Sequence, residues 1–178
     1  ALLNTLMEVQ SKEVWRRAVR LAPVNLQPLI PELLTTYQVR QCAAKTTLNQ
    51  HLARDLPKVQ ADANQIQRVF ENLIDNALKY NPKGVAIEIA ADLVPSKDEG
   101  DRPMVRCVVA DNGIGVDPAK SQSLFQGYAR GSRQEMTPGY GLGLYICREI
   151  VTAHGGEIGV ETAPSGGAAF WFTLPTVD

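Results

Sequence analysis

Two asparagines and a lysine, Asn72, Asn76 and Lys79, are spaced so that on a helix they would share one stripe. At about 100° per residue they fall within roughly 60° of one another. A separate apolar series runs beside them: Ile66, Val69, Phe70, Leu73, Ile74 and Ala77. That series repeats as the buried face of a helix does, so Gln65 to Tyr80 predicts a helix lying on a core, with two amides and an ammonium along its edge. The chemistry open to such an edge is specific. An amide oxygen can join the shell of a hydrated Mg²⁺ ion without adding charge, and Mg²⁺ keeps several waters while sharing phosphate oxygens with its protein ligands. Lys79, one turn on, can meet a phosphate as a point charge. Taken alone, these residues fit equally well the capped or solvated end of an ordinary helix.

A second group is Asp111-Asn112-Gly113-Ile114-Gly115-Val116-Asp117, which closes the apolar segment Met104 to Ala110. A carboxylate acceptor at a strand end, followed by glycines that let backbone approach a flat ligand, suits a base with an exocyclic amine. By itself the stretch is read more economically as an Asp-Asn-Gly turn. A third group is Gly139-Tyr140-Gly141-Leu142-Gly143-Leu144-Tyr145-Ile146-Cys147. Its alternate glycines run into a helical pattern of Leu144, Ile146, Ile150 and Val151, which gathers backbone N–H groups where a phosphate can be cradled. It has neither the Gly-Lys-Ser/Thr ending of a P-loop nor the G-x-G-x-x-G spacing of a dinucleotide fingerprint. Between these groups, Leu124 to Arg133 reads as a lid: Phe125 and Tyr128 can anchor one end, and Arg130 and Arg133 can reach phosphate oxygens. A solvated surface loop is the alternative, more serious for Arg133 than for Arg130.

These groups need a frame. Asp62 is placed to cap the Gln65–Tyr80 helix, with Gln65 in the position of a capping-box partner, and Asn81-Pro82-Lys83-Gly84 stops it. Val85, Ile87, Ile89, Ala91 and Leu93 alternate as a strand with one buried face, and Met104 to Ala110 pairs with it antiparallel across a polar loop from Pro95 to Pro103 that is expected to be mobile. Glu157 to Thr162 and Ala168 to Leu174 repeat the strand pattern. Upstream, Asn25 caps a helix carrying Leu26, Leu29, Ile30, Leu33, Leu34 and Tyr37, with Pro28 and Pro31 in or near its first turn. Thr46 to Ala53 fits a strand, Leu56 to Val59 an extended link, and Ala1 to Leu21 the tail of a helix whose partner is missing.

With 178 residues the chain fits one domain with a sizeable core, and a formal net charge of -1 gives no bulk attraction to nucleic acid or to an anionic membrane. Cys42, Cys107 and Cys147 are odd in number and embedded in apolar segments, so they read as buried thiols in a reducing compartment. No apolar run reaches the length of a membrane span, and there is no basic-then-apolar leader. A cytoplasmic location is expected. The chain opens on Ala1 instead of Met, which points to a piece of something longer.

In their order, the four groups resemble the N, G1, F and G2 boxes of the sensor histidine kinase ATP-binding domain, a relative of the gyrase and heat-shock chaperone ATPases with the Bergerat fold. Four motifs in one order are specific where each alone is not. The resemblance covers roughly Val24 to Pro175. It implies an α/β architecture, an α+β two-layer sandwich in which a mixed sheet is backed by helices with a flexible ATP lid. It implies that residues 1–22 are a remnant of the second helix of the dimerisation and phosphoacceptor hairpin with its linker, and residues 23–178 the ATP-binding catalytic domain. By position, Asn76 would ligate Mg²⁺, Asn72 would assist at the phosphates, Lys79 would contact phosphate, and Tyr80 would pack on the adenine. Asp111 would accept from the adenine amine, with Gly113 and Gly115 giving room. Gly139, Gly141 and Gly143 would hinge the lid and cradle phosphates, with Tyr140, Leu142 and Leu144 in the same nucleotide-binding box; Phe125 would help place the lid, and Arg130 would fall near the phosphates.

The hydrolysing relatives carry a water-activating Glu where this chain has Asn72, so the resemblance implies that ATP stays intact until another nucleophile arrives. Glu71 is adjacent but about 100° away on the helix. The expected nucleophile is a histidine on a dimerisation domain, with a response regulator as further partner. Neither His51 nor His154 sits in the family's phosphoacceptor motif. Two departures stand out: Ala169 occupies the place of a Thr that usually supports the adenine-binding Asp, which implies a weaker hold on adenine, and Tyr128 replaces a second Phe of the F box. No nucleic acid, no direct membrane contact and a monomeric state are expected. The rival expectations are a nucleotide-binding regulatory or scaffold module without phosphotransfer, and an anti-sigma-type serine kinase.

Overall fold

The computed structural model describes residues 19–41, 46–96, 102–121, 123–126 and 143–177. Its main sheet has five strands in the order β2-β4-β5-β7-β6. These are β2 (Thr47–Leu52), β4 (Ala86–Val94), β5 (Met104–Asp111), β6 (Ile158–Thr162) and β7 (Ala168–Pro175). The β2–β4 pair is parallel and the rest are antiparallel. A separate ribbon pairs β1 (Ala22–Val24) with β3 (Val59–Ala61). Three α-helices among the described residues complete the frame: α1 (Leu26–Gln41), α2 (Ala63–Tyr80) and α3 (Gly143–Ala153).

The period-2 pattern puts one face of each strand into a common core. Across the sheet, Ile89, Val109 and Phe170 share a row, and Ala91, Cys107 and Phe172 share the next. All six are buried. Every apolar residue that marked α2, from Ile66 to Ala77, is buried as well, and the Phe70 ring meets Phe172 edge to face at 5.1 Å. The opposite sheet face carries Arg106, which bonds Glu161 at 2.8 Å and lies over the Trp171 ring. The arrangement is the expected two-layer α+β sandwich, with the helices gathered on one face of a mixed sheet.

Some elements differ from expectation. Leu93 keeps the phase of the buried positions yet is 52% exposed, because β2 ends opposite Ala91 and leaves Leu93 beyond its cover. Pro31 lies in the second turn of α1, where its missing N–H leaves the Gln27 carbonyl without a helical donor; Pro28 alone sits in the first turn. The stretch Ala22–Val24 is a short strand, as is the end of the link at Val59. Asn25 caps α1 as expected, accepting from the Gln27 N–H at 3.0 Å. The expected helical remnant falls almost wholly outside the described residues, and Val19 to Leu21 are not helical. Much of the loop expected to be mobile, residues 97–101, also lies outside them.

Candidate functional site

Helix α2 is fixed at both ends by side chains. Asp62 is its N-cap, accepting from Asn64 N–H at 3.1 Å and Gln65 N–H at 3.2 Å. Gln65 does not return the bond. The Asp62 N–H donates to His154 Nε2 at 3.0 Å, and Gln65 Oε1 is buried with no partner among the described residues. At the other end Asn81 donates from Nδ2 to Ala77 O at 2.9 Å and accepts at Oδ1 from Ile114 N–H at 3.0 Å. One side chain thus ties the last turn of α2 to the loop that follows β5.

Along the flank of α2, Asn72 and Asn76 are half-buried and Lys79 is exposed, as the stripe requires. The Lys79 ammonium rests 5.2 Å from the centre of the Tyr80 ring. Asn72 faces α3: a side chain at Gly143 would place its first carbon 3.7 Å from Asn72 Oδ1. The Asn72 amide nitrogen is buried without a hydrogen bond among the described residues. Burial pushes the nearby Cys147 thiol up to about 12, moderated by the Asn72 amide and Arg68. Cys107 is raised further by burial, with Asp92 adding to it. Both are free, buried thiols, as expected; Cys42 lies outside the described residues. Glu71 turns along the helix surface, where its carboxylate accepts from Gln67 Nε2 at 2.9 Å.

At the end of β5, Asp111 is 4% exposed. Its Oδ1 accepts from Gly113 N–H at 2.8 Å and Ala168 N–H at 3.2 Å, and its backbone oxygen accepts from Ser165 Oγ at 3.0 Å. These bonds orient the carboxyl through Oδ1. Two glycines make the arrangement possible. A side chain at Gly113 would overlap the Asn81 amide, and one at Gly167 would overlap Asp111 itself. Gly115 follows in the same loop.

Phe125 is buried, edge to face with Phe170 at 6.3 Å, and Arg148 Nη1 donates to its carbonyl at 3.5 Å. The start of the expected lid is therefore anchored. Arg130, Gly139, Tyr140, Gly141 and Leu142 lie outside the described residues. Gly143 opens α3, and Leu144 is buried against the core. Among the described residues no cluster of three or more His, Cys, Asp or Glu could hold a metal ion. The donor set on α2 is instead amide oxygen, which fits Mg²⁺ when phosphate oxygens and water complete its shell.

Residues 61–178 match the model of the histidine kinase-, DNA gyrase B- and HSP90-like ATPases. The chain belongs to that family. Its curated relatives include sensor kinases: the adaptive-response sensory kinase SasA of Synechocystis sp. is 38% identical over 86% of this chain. The alginate biosynthesis sensor protein KinB of Pseudomonas aeruginosa is 32% identical over 98% of it. The chain spans 38% of the former and 28% of the latter. Among solved structures, the catalytic domain of histidine kinase ThkA aligns with a TM-score of 0.72 at 26% identity, over 88% of this chain and 96% of that one. Full-length ShkA in complex with AMPPNP aligns with a TM-score of 0.71 at 25% identity, over 97% of this chain and 36% of that one. The sandwich is thus the histidine kinase catalytic-domain fold, and the matched residues 61–178 contain the groups singled out in the sequence. Asn81, Gly167 and His154 were not among them. Asn81 reads in sequence only as a helix stop, and Gly167 only as half of a Gly-Gly turn.

Proposed function

We propose that the chain is the catalytic and ATP-binding domain of a sensor histidine kinase, which binds Mg-ATP and donates the γ-phosphate to a histidine on an adjoining dimerisation domain. The observation that supports this most directly is the join at Asn81. It holds the flank bearing Asn72 and Asn76 in one frame with the loop bearing Asp111, so a base and its phosphates can be gripped at once. The adenine amine donates to Asp111 Oδ2, with room beside Gly113 and Gly115, while Tyr80 packs on the ring. The phosphates run along α2 toward Asn72 and Lys79, and Arg130 and the Gly139–Leu144 cradle would contact them as well.

Asn76, with its amide oxygen, would hold Mg²⁺, which when bound neutralises phosphate charge and aligns the terminal group. Asn72 stands where water-activating relatives carry Glu, and Glu71 is engaged by Gln67, so neither serves as a base for water. The chain's own work is positioning and charge neutralisation. The imidazole nitrogen of the incoming histidine forms the new N–P bond as the O–P bond to the leaving ADP breaks. Residues 1–22 are the remnant of the hairpin and linker, and residues 23–178 the working domain. A response regulator takes the phosphate onward. No helix among the described residues is long and apolar enough to cross a membrane, and a cytoplasmic, monomeric fragment is the state that accords with this reading.

The test is transphosphorylation of a separately supplied histidine hairpin from labelled Mg-ATP, read as acid-labile, alkali-stable phosphate. Asn76→Ala is expected to lower the rate about 100-fold or more, the scale of losing one positioned group that stabilises transferring charge. A variant as active as the parent chain would refute the role given to Asn76.

A further inference from the structure

Asp62 and His154 form a junction that the nucleotide boxes do not account for. The Asp62 N–H donates to His154 Nε2 at 3.0 Å, and His154 Nδ1 lies 2.7 Å from Ile150 O. The first bond requires Nε2 to be unprotonated, so the proton sits on Nδ1 and is donated to Ile150 O. One neutral ring therefore spans from the last turn of α3 to the N-cap of α2. The Asp62 carboxylate meanwhile holds the first turn of α2 and accepts the Arg20 N–H at 3.1 Å from the segment ahead of β1. The helices so joined are the two that border the candidate site: α2 carries Asn72 and Asn76, and α3 begins at Gly143 opposite Asn72.

We infer that His154 is a positioning residue for nucleotide binding: its neutral ring staples α3 to the cap of α2 and keeps the two helices at one relative placement. The inference rests on the nucleotide-binding reading above. A tilt of α3 against α2 about an open staple would change the gap between Gly143 and Asn72, at the phosphate end of the site.

Protonation is what opens the staple. A proton on Nε2 would face the Asp62 N–H donor to donor, at the positive end of the α2 dipole. Burial lowers the His154 pKa from 6.5, while the bond to Ile150 O and the Asp62 carboxylate, the charged group acting on the ring among the described residues, pull the other way. Burial wins. The unfolded chain therefore takes up the proton first as pH falls, so the staple's contribution is complete above the ordinary histidine value and is lost as pH drops through the lowered one.

The experiment measures Mg-ADP affinity of the 178-residue chain by calorimetry from about pH 7.5 to about pH 5.5, a window that brackets histidine titration. Amide exchange at Asp62 is followed in parallel. His154→Leu removes the acceptor at similar volume; His154→Gln restores an acceptor that does not titrate. Loss of one such bond is expected to weaken Mg-ADP binding of the Leu variant about five- to tenfold at the upper pH, with fast exchange at Asp62 and protected core amides. The parent chain should lose more affinity toward the lower pH than the Gln variant, which should bind like the parent at the upper pH and weaken only as far as the nucleotide's own phosphate titrates. A Leu variant that binds like the parent chain while its Asp62 amide exchanges freely would overturn the inference, as would a Gln variant that protects Asp62 yet binds as weakly as the Leu variant. A parent chain that binds no Mg-ADP would overturn the nucleotide reading, and this one with it.

Discussion

Asp111 shows how much of a site rests on single atoms. Its Oδ1 is committed to two backbone N–H groups, from Gly113 and Ala168, so the carboxyl is oriented without the hydroxyl that Ala169 fails to supply. Gly167 is the hidden condition: a methyl there would run into the Asp111 carbonyl and carboxylate. Gly167→Ala is therefore expected to destabilise the fold by about 1–3 kcal/mol, the usual cost of overpacking a tight site. It should also weaken nucleotide binding, both checked by denaturant melts and calorimetry on one sample. The residues legible in the sequence were those whose chemistry is carried by type and local phase: Asn72, Asn76 and Lys79 on one stripe, and Asp111 before its glycines. Asn81, Gly167 and His154 were not legible because their roles lie in contacts between distant segments. Asn81 bonds a residue 33 positions away, and His154 one 92 positions away. No local spacing carries that information.

At the scale of elements, α2 is the most strongly written part of the chain. Its six apolar residues are all buried, its cap is Asp62, and its polar stripe emerges on the flank. Each large side chain so buried contributes about 1.5–3 kcal/mol, which outweighs the helix propensity of any one residue. Phe70 sits at the centre, against Phe172. Phe70→Ala is expected to cost about 3–5 kcal/mol by opening a cavity between α2 and the sheet; a loss of unfolding free energy below about 1 kcal/mol in urea would contradict this packing. The strands of the main sheet were legible because alternation over five or more residues is hard to mimic by chance. The β1–β3 ribbon was not: three residues per strand give no period to read, and Pro23 in β1 points away from a strand. Pro31, read as in or near the first turn of α1, lies just past it, where its missing N–H does cost a helical bond. Its helix begins at Leu26, and the tertiary burial of Ile30, Leu33 and Leu34 carries the helix through the lost bond.

The whole molecule is a frame with its site at one margin. The exit of α2 meets the loop after β5 at Asn81, the start of α3 lies beside Asn72 midway along α2, and the Asp62–His154 junction ties the other end of the two helices. Family membership follows from residues 61–178, and the four ordered boxes made it legible from sequence. The chain spans only part of the length of its curated relatives, 38% of SasA and 28% of KinB. On the proposed reading, this margin binds an adenine nucleotide through Asp111 and its phosphates through α2. Calorimetry with ATP, ADP and GTP, each with and without Mg²⁺, on the parent chain and on Asp111→Asn tests it most directly. ATP and ADP should bind and GTP should not. Asp111→Asn should lose about 10- to 100-fold in affinity, the worth of a hydrogen bond to a charged acceptor. Equal binding of ATP and GTP, or an Asp111→Asn variant indistinguishable from the parent chain, would contradict the account.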